Sequence, residues 1–140
     1  TQILLSDLKA VLEKCTDVSA AYIFGSAARD ERVVNDLDIL ILLHKYTNKN
    51  EAYIDIAYRL SKTLNISEDR IDLLYFDLQE ADPAVITNAV NNGILLKNNE
   101  PEYLSDTIDS LSKHLLENES MMIRGKRLRQ ERLEVFSETG

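Results

Sequence analysis

Two short, almost uninterrupted apolar runs constrain the fold of this chain most strongly. They are Ala20–Phe24 (AAYIF) and Leu37–Leu43 (LDILILL), and Asp38 is the only charged residue in either run. Apolar runs of this length, rich in aliphatic and aromatic residues and bounded by turn residues such as Gly25, are typical of strands buried on both faces. The sequence therefore predicts two central strands in a sheet that is covered on both sides.

Helical and strand patterns alternate around these two runs. Apolar spacing and capping residues predict helices from Ser6, as the N-cap, to about Cys15, over Glu51–Leu64 with Asn65 as the stop, and from an Asp82–Pro83 N-cap to Gly93. Further strands are predicted over Arg70–Phe76 and Ile94–Leu96, a helical turn and loop over Ser26–Asn35, and helices over Glu102–Glu117 and Ser120–Phe136. This order predicts an α/β (α+β) fold with a small mixed β-sheet flanked by helices.

Composition limits the classes of function. A net charge of -8 argues against strong nucleic-acid binding, although residues 124–140 carry a net +2 while the rest carries -10. No apolar run is long enough to span a membrane, and the beginning lacks the layout of a secretion signal. The single cysteine, Cys15, cannot form an internal disulfide and is expected to be a buried thiol. We expect a soluble, cytoplasmic protein.

Three acidic residues are expected to meet at one end of the sheet. Asp36 and Asp38 lie two apart on a strand, so their side chains point the same way, and Asp72 begins the next strand. Hard carboxylate oxygens select Mg²⁺ or Mn²⁺ over zinc. Two such ions can activate an attacking hydroxyl and stabilise a leaving pyrophosphate. The three carboxylates therefore predict metal-dependent nucleotidyl transfer, and the alternative is that they are solvated strand ends.

A phosphate-binding turn is predicted just upstream of these acids. Gly25 permits a sharp turn from a strand into a helix, and a helix N-terminus presents free amide hydrogens to a phosphate. Ser26 can donate its hydroxyl to the same anion, although it is equally suited to an N-cap. Arg29 follows one helical turn later, and its planar donor group suits phosphate. We expect Gly25, Ser26 and Arg29 to bind the triphosphate.

Together these residues resemble the polymerase β-like minimal nucleotidyltransferases. The resemblance rests on Gly25-Ser26, Asp36-Leu37-Asp38 and Asp72 in that order, with the closing segment Asn92–Leu96, and covers about residues 18–96. It implies a nucleotidyltransferase domain over residues 1–98 and a C-terminal helical extension over 99–140. It also implies that Asp36, Asp38 and Asp72 hold the metal ions and that Asp72 helps to activate the acceptor hydroxyl.

The small members that the chain resembles act as antitoxins of helical HEPN ribonucleases. They transfer AMP from ATP to a tyrosine of that toxin, so the resemblance implies ATP, Mg²⁺ and a HEPN toxin as substrate, cofactor and partner. The basic segment Arg124–Arg132 is a candidate docking segment for such a partner. Two alternatives remain open: an antitoxin that acts by occlusion with a weak transferase site, and a nucleotidyltransferase for small molecules.

The sequence departs from the family pattern at two positions. Asp30 stands where a glycine often follows the arginine, and Asn35 stands where a serine often precedes the first aspartate. Neither change removes a metal ligand. An acidic side chain near the phosphate site is nevertheless expected to weaken or alter nucleotide binding.

Overall fold

The computed structural model of this chain describes residues 3–25, 32–33, 36–79 and 81–117. The predicted phosphate-binding residues Ser26 and Arg29 lie outside the described residues, as do Asp30 and Asn35. The predicted helix Ser120–Phe136 and the basic segment within it lie outside them as well.

The described residues form a mixed sheet of four strands and a separate two-stranded ladder. The strands are β1 (Ile3–Leu4), β2 (Val18–Phe24), β3 (Arg32–Val33), β4 (Leu37–Leu43), β5 (Ile71–Tyr75) and β6 (Ile94–Asn98). The main sheet has the order β5-β4-β2-β6, with β4 and β5 parallel and the other pairs antiparallel, while β1 pairs with β3. The two apolar runs are therefore the central strands, as predicted, and β6 is an edge strand.

Three helices connect these strands, and a fourth follows the last described strand. They are α1 (Leu5–Lys14), α2 (Lys49–Leu64), α3 (Pro83–Asn92) and α4 (101–117), with a 3₁₀ helix at Glu68–Arg70. The mixed α/β fold class is confirmed. Helix α2 connects the parallel strands β4 and β5, which need a crossover of this kind.

The main core lies between one face of the sheet and helices α1 and α2. Leu12 of α1, Leu60 of α2 and Ile39 of β4 are fully buried in one cluster. The other sheet face is also covered: Leu40 of β4 and Ile86 of α3 are fully buried outside that cluster. Because side chains alternate along a strand, the even-numbered residues of β4, including Asp38, belong to this second face.

Helix α1 starts differently from the prediction. It begins at Leu5, and its N-cap residue, Leu4, makes no side-chain capping hydrogen bond, so the prediction of Ser6 as N-cap is wrong. Leu4 is the last residue of β1, which pairs with Arg32 of β3. Strand pairing therefore sets where the helix begins, and two-residue strands are too short to leave a periodic signal in the sequence.

Other helix ends follow the predicted capping chemistry. The side chain of Asp82 accepts a hydrogen bond from the Ala84 amide at 2.9 Å, with Pro83 in the first turn, as predicted. Asn65 ends α2 in the left-handed conformation at φ 52°. Helix α2 itself begins at Lys49, two residues earlier than predicted, because the Asn48 side chain accepts hydrogen bonds from the Asn50 and Glu51 amides.

The chain divides into two compact units, Thr1–Asp106 and Thr107–Gly140. The first unit contains all the strands described above and helices α1 to α3. The domain boundary after residue 98 stays a prediction. Within the described ranges, none of the helices combines the length and apolar character that crossing a membrane requires.

Candidate active site

Parallel pairing of β4 and β5 brings two of the predicted acids side by side. Asp38 and Asp72 are direct partners in the strand register, so their side chains leave the same face of the sheet. Asp38 is half-buried and Asp72 is exposed. Asp36 is also exposed and lies two residues before Asp38, just ahead of the strand.

The same register extends across the sheet to β2. Phe24 is the antiparallel partner of Asp38, so Phe24, Asp38 and Asp72 form one row across three strands. The next row on this face contains Tyr22 and Leu40, both buried. Burial raises the pKa of the Tyr22 hydroxyl. The carboxylates therefore border an apolar surface, which sequence reasoning had not assigned to the site.

Gly25 lies against the Asp38 carboxylate. Its backbone has φ +72°, a conformation that glycine adopts easily and other residues rarely do. A Cβ atom at this position would lie 2.6 Å from Oδ2 of Asp38. The glycine thus has two roles, since it makes the turn after β2 and leaves the space that the carboxylate occupies.

The electrostatics of Asp38 reflect its acidic neighbours. Burial raises the pKa of Asp38, and the carboxylates of Asp72 and then Asp36 raise it further. Like charges that interact in a partly desolvated place favour protonation of one group or the binding of a cation. Both neighbouring acids therefore act on Asp38, and Asp36 contributes less than Asp72.

The donor chemistry fits a hard divalent cation. Asp36, Asp38 and Asp72 offer only carboxylate oxygens, which suit Mg²⁺ or Mn²⁺. Within residues 3–25, 36–79 and 81–117, however, no three His, Cys, Asp or Glu side chains are gathered closely enough to be recognised as a ready metal cluster. The register and the mutual repulsion of the acids are consistent with a site that a cation would complete.

Two further arrangements were not found from the sequence. His44 contacts Oε1 of Glu100 through Nδ1, and Glu100 also accepts a hydrogen bond from Ser19 at 2.9 Å. Residues 81 positions apart leave no local signal. Gly93 was predicted as a helix end, and it packs so closely that a Cβ there would lie 2.7 Å from the carbonyl oxygen of Ile23.

A comparison with protein families gives one match over most of the first unit. Residues 6–102 match the family described as polymerase beta, nucleotidyltransferase. The match includes Gly25, Asp36, Asp38 and Asp72, as well as the helices that support their strands. No curated protein matches the chain significantly.

Solved structures with the same fold come from toxin–antitoxin complexes. A toxin–antitoxin structure with AMP-PNP has a chain that aligns with a TM-score of 0.60 and 20% identity, covering 86% of this chain and 96% of its own. A chain of a mutant MntA toxin–antitoxin structure aligns with a TM-score of 0.59 and 19% identity, and the alignment again covers 86% of this chain and 96% of that chain. A complex of tri-AMPylated Shewanella oneidensis HEPN toxin with MNT antitoxin aligns with a TM-score of 0.55 and 20% identity, covering 84% and 92%.

Proposed function

This chain belongs to the polymerase beta nucleotidyltransferase family, and from that premise we propose that it transfers AMP from ATP to a hydroxyl group of a partner protein. The observation that carries the proposal is the direct pairing of Asp38 with Asp72 beside the Gly25 turn. In a family defined by nucleotidyl transfer, the paired carboxylates are the expected metal-binding part of the site. The glycine turn next to them is the expected phosphate-binding part.

The acids have distinct roles in the proposed reaction. Asp36, Asp38 and Asp72 would hold Mg²⁺, or Mn²⁺ in its place, with two ions when ATP is bound. Such ions lower the pKa of an attacking hydroxyl and stabilise the charge of a leaving pyrophosphate. Asp72, the more exposed of the paired acids, is accessible to an acceptor hydroxyl and would help to remove its proton.

The atoms balance as a single displacement at the α-phosphorus of ATP. The acceptor oxygen forms a bond to that phosphorus, the bond to the bridging oxygen of the β-phosphate breaks, and pyrophosphate leaves. The hydroxyl proton passes to a carboxylate and then to solvent. Gly25, Ser26 and Arg29 are proposed to bind the phosphates, with Gly25 holding the turn open beside Asp38.

The proposed partner is a HEPN ribonuclease toxin, with one of its tyrosines as the acceptor. The support for this step is the fold shared with chains of toxin–antitoxin structures, one of which contains an AMPylated HEPN toxin. In this reading the chain is an antitoxin, and modification of the toxin blocks its ribonuclease activity.

The direct experiment uses the purified full chain, a helical HEPN ribonuclease as the proposed partner, Mg²⁺ and ATP labelled on the α-phosphate. We expect label on the ribonuclease with the native chain and at least about a 100-fold lower rate with Asp38→Asn, because metal charge stabilisation contributes several kcal/mol. Asp69→Asn, an exposed acid three positions before Asp72, is the matched control and should transfer normally.

The same experiment separates the two alternatives. Tight binding and neutralisation of the ribonuclease without label, unchanged by Asp38→Asn, would support inhibition by occlusion instead. The lack of a ready three-residue metal cluster among the described residues is the observation that favours that alternative. Label found only on small hydroxyl compounds would support a small-molecule nucleotidyltransferase.

A further inference from the structure

Helix α2 has an apolar outer surface that the catalytic proposal does not use. Its inner side is buried in the core, yet Tyr53, Ile54 and Tyr58 remain 41%, 69% and 51% exposed. The outward face of a surface helix is normally polar. Aromatic and aliphatic side chains clustered on such a face are typical of protein interaction sites. We call Tyr53, Ile54 and Tyr58 the α2 patch.

The α2 patch is concave and partly rigid. It lines a groove of about 470 Å³ together with Glu51, Asp55 and Glu68. The ring of Tyr53 packs edge-on against Tyr75, with centroids 6.4 Å apart. Tyr75 is itself held by a hydrogen bond from its hydroxyl to the Lys49 carbonyl at 2.6 Å. An aromatic group fixed in this way loses little entropy on binding.

The charge around the groove is negative. Asp55 is paired with Arg59 at 3.0 Å, and the Lys62 Nζ lies over the ring of Tyr58, 5.2 Å from its centroid. Glu51 and Glu68 have no ion-pair partner among the residues that the structure describes, and the groove is lined by no lysine or arginine from those residues. Carboxylates that line a groove repel phosphates, which argues against nucleic acid and anionic membranes as ligands.

We propose that the α2 patch is the docking site for a basic amphipathic helix of a partner protein. Ile54 and Tyr58 are one helical turn apart, so apolar side chains of an adjacent helix can pack against both. Lysine or arginine side chains beside that apolar stripe would face Glu51 and Glu68.

The position of the patch leaves the active site open. Helix α2 packs on the sheet face that contains Ile39 and Ile41, whereas Asp38 and Asp72 leave the opposite face. A docked helix would hold the partner without occupying the acid row. The identity of the partner as the helical ribonuclease rests on the proposed function, whereas the chemistry of the patch does not.

The first test needs no natural partner. The probe is a synthetic amphipathic peptide of roughly 18 residues, about five helical turns, with leucines on one face and lysines on the other. In ¹⁵N NMR titrations of the full chain, we expect shift changes concentrated at residues 51–58 and Glu68, and weaker binding at high salt. A peptide with glutamates in place of the lysines should not bind. Shift changes elsewhere, or none, would overturn the proposal.

Matched variants test the two components of the surface. Ile54→Lys should weaken peptide binding about tenfold or more, because it removes an apolar anchor and adds a repelling charge. Val85→Lys makes the same kind of change at an exposed apolar residue of α3 and should have no effect. Glu51→Lys should also weaken binding and reduce its salt dependence, whereas Glu13→Lys on the exposed side of α1 should not. Equal affinities across these variants would refute the assignment.

A second experiment uses the proposed HEPN ribonuclease partner and separates docking from catalysis. We expect Ile54→Lys to raise the KM for the ribonuclease about tenfold with little change in kcat, and Asp38→Asn to abolish transfer without weakening binding. If the native chain binds the ribonuclease but transfers no AMP, the proposed function is contradicted. Weaker ribonuclease binding by Ile54→Lys than by the native chain would still support the docking site in that case. A native chain that dimerises through the α2 patch, with Ile54→Lys monomeric, would overturn the docking proposal.

Discussion

Asp38 on β4 and Asp72 on β5 are direct partners in the register of two parallel strands. Their carboxylates therefore leave the same sheet face as near neighbours, and burial together with Asp72 and Asp36 raises the pKa of Asp38. Two neighbouring carboxylates repel each other and do not stabilise the folded state by themselves. Two carboxylates that lie together beside a glycine turn are instead suited to binding a cation and the phosphate groups bound to that cation.

Gly25 is expected to be essential for the geometry of Asp38. In Gly25→Ala the new Cβ would lie 2.6 Å from Oδ2 of Asp38 at a backbone φ of +72°, so the carboxylate must move and the backbone is strained. We expect a loss of about 1–2 kcal/mol of stability from the conformation and a larger loss of transfer activity. Chemical denaturation and the labelled ATP assay measure the two effects. Full activity in this variant would contradict the assigned role.

Gly93→Ala is expected to destabilise the fold through a different contact. A Cβ at Gly93 would lie 2.2 Å from the Ala89 carbonyl oxygen and 2.7 Å from that of Ile23, both of which belong to the backbone. Neither atom can yield without moving α3 or β2, so we expect a loss of about 2–3 kcal/mol, as for other overpacked sites. Urea unfolding measures it. An unchanged unfolding midpoint would show that α3 does not pack as closely on β2 as described.

Lys97 is expected to stabilise the end of α1. It is 2% exposed, and its Nζ donates hydrogen bonds to the carbonyl oxygens of Leu12 at 3.0 Å and Cys15 at 2.9 Å. Lys97→Met would leave both carbonyls without this donor and remove a cation from a helix C-terminus, at a cost of about 2–3 kcal/mol. Thermal or urea unfolding checks the value, with the exposed Lys14→Met as control. Equal stability of the two variants would contradict the role of Lys97.

Glu100 is expected to make folding stability depend on pH. The hydrogen bond from Ser19 lowers the pKa of Glu100 most, burial opposes this effect, and His44 and Lys45 lower the pKa further. A carboxyl group whose pKa is lower in the folded state stabilises the fold above its unfolded pKa of about 4.3, and this stabilisation is lost as pH falls through the folded pKa.

The variant Glu100→Gln tests this dependence. We expect it to be less stable than the native chain at about pH 6, with the difference shrinking towards about pH 3. Urea unfolding at several pH values measures the difference, and Glu102→Gln is the neighbouring exposed control. A stability difference that stays constant with pH would show that the ionisation of Glu100 is not the cause.

The sequence predicted the features that depend on local pattern. The apolar runs identify β2 and β4 as central strands, whereas the shared face of Asp36 and Asp38 stays a prediction because Asp36 lies just ahead of β4. The side chains of Asn65 and Asp82 predict helix ends because capping is chemistry between near neighbours. The fold class follows from these elements.

Features that join distant segments could not be predicted in the same way. Leu4 pairs with Arg32 in a β-ladder, and α1 therefore begins at Leu5 rather than after Ser6. The contact between Gly25 and Asp38 depends on how β2 and β4 lie next to each other. The hydrogen bonds of Lys97 to α1 and of Ser19 to Glu100 span more than 80 positions. Ser26 and Arg29 remain predictions from the sequence because they lie outside the described residues.

Binding of Mn²⁺ in the presence of a non-hydrolysable ATP analogue, followed by electron paramagnetic resonance, tests the central claim most directly. We predict that the native chain binds Mn²⁺, that Asp38→Asn and Asp72→Asn each weaken binding about tenfold or more, and that Asp69→Asn leaves it unchanged. Equal Mn²⁺ affinity in the native chain and all three variants would contradict the assignment of Asp38 and Asp72 as the metal-binding pair.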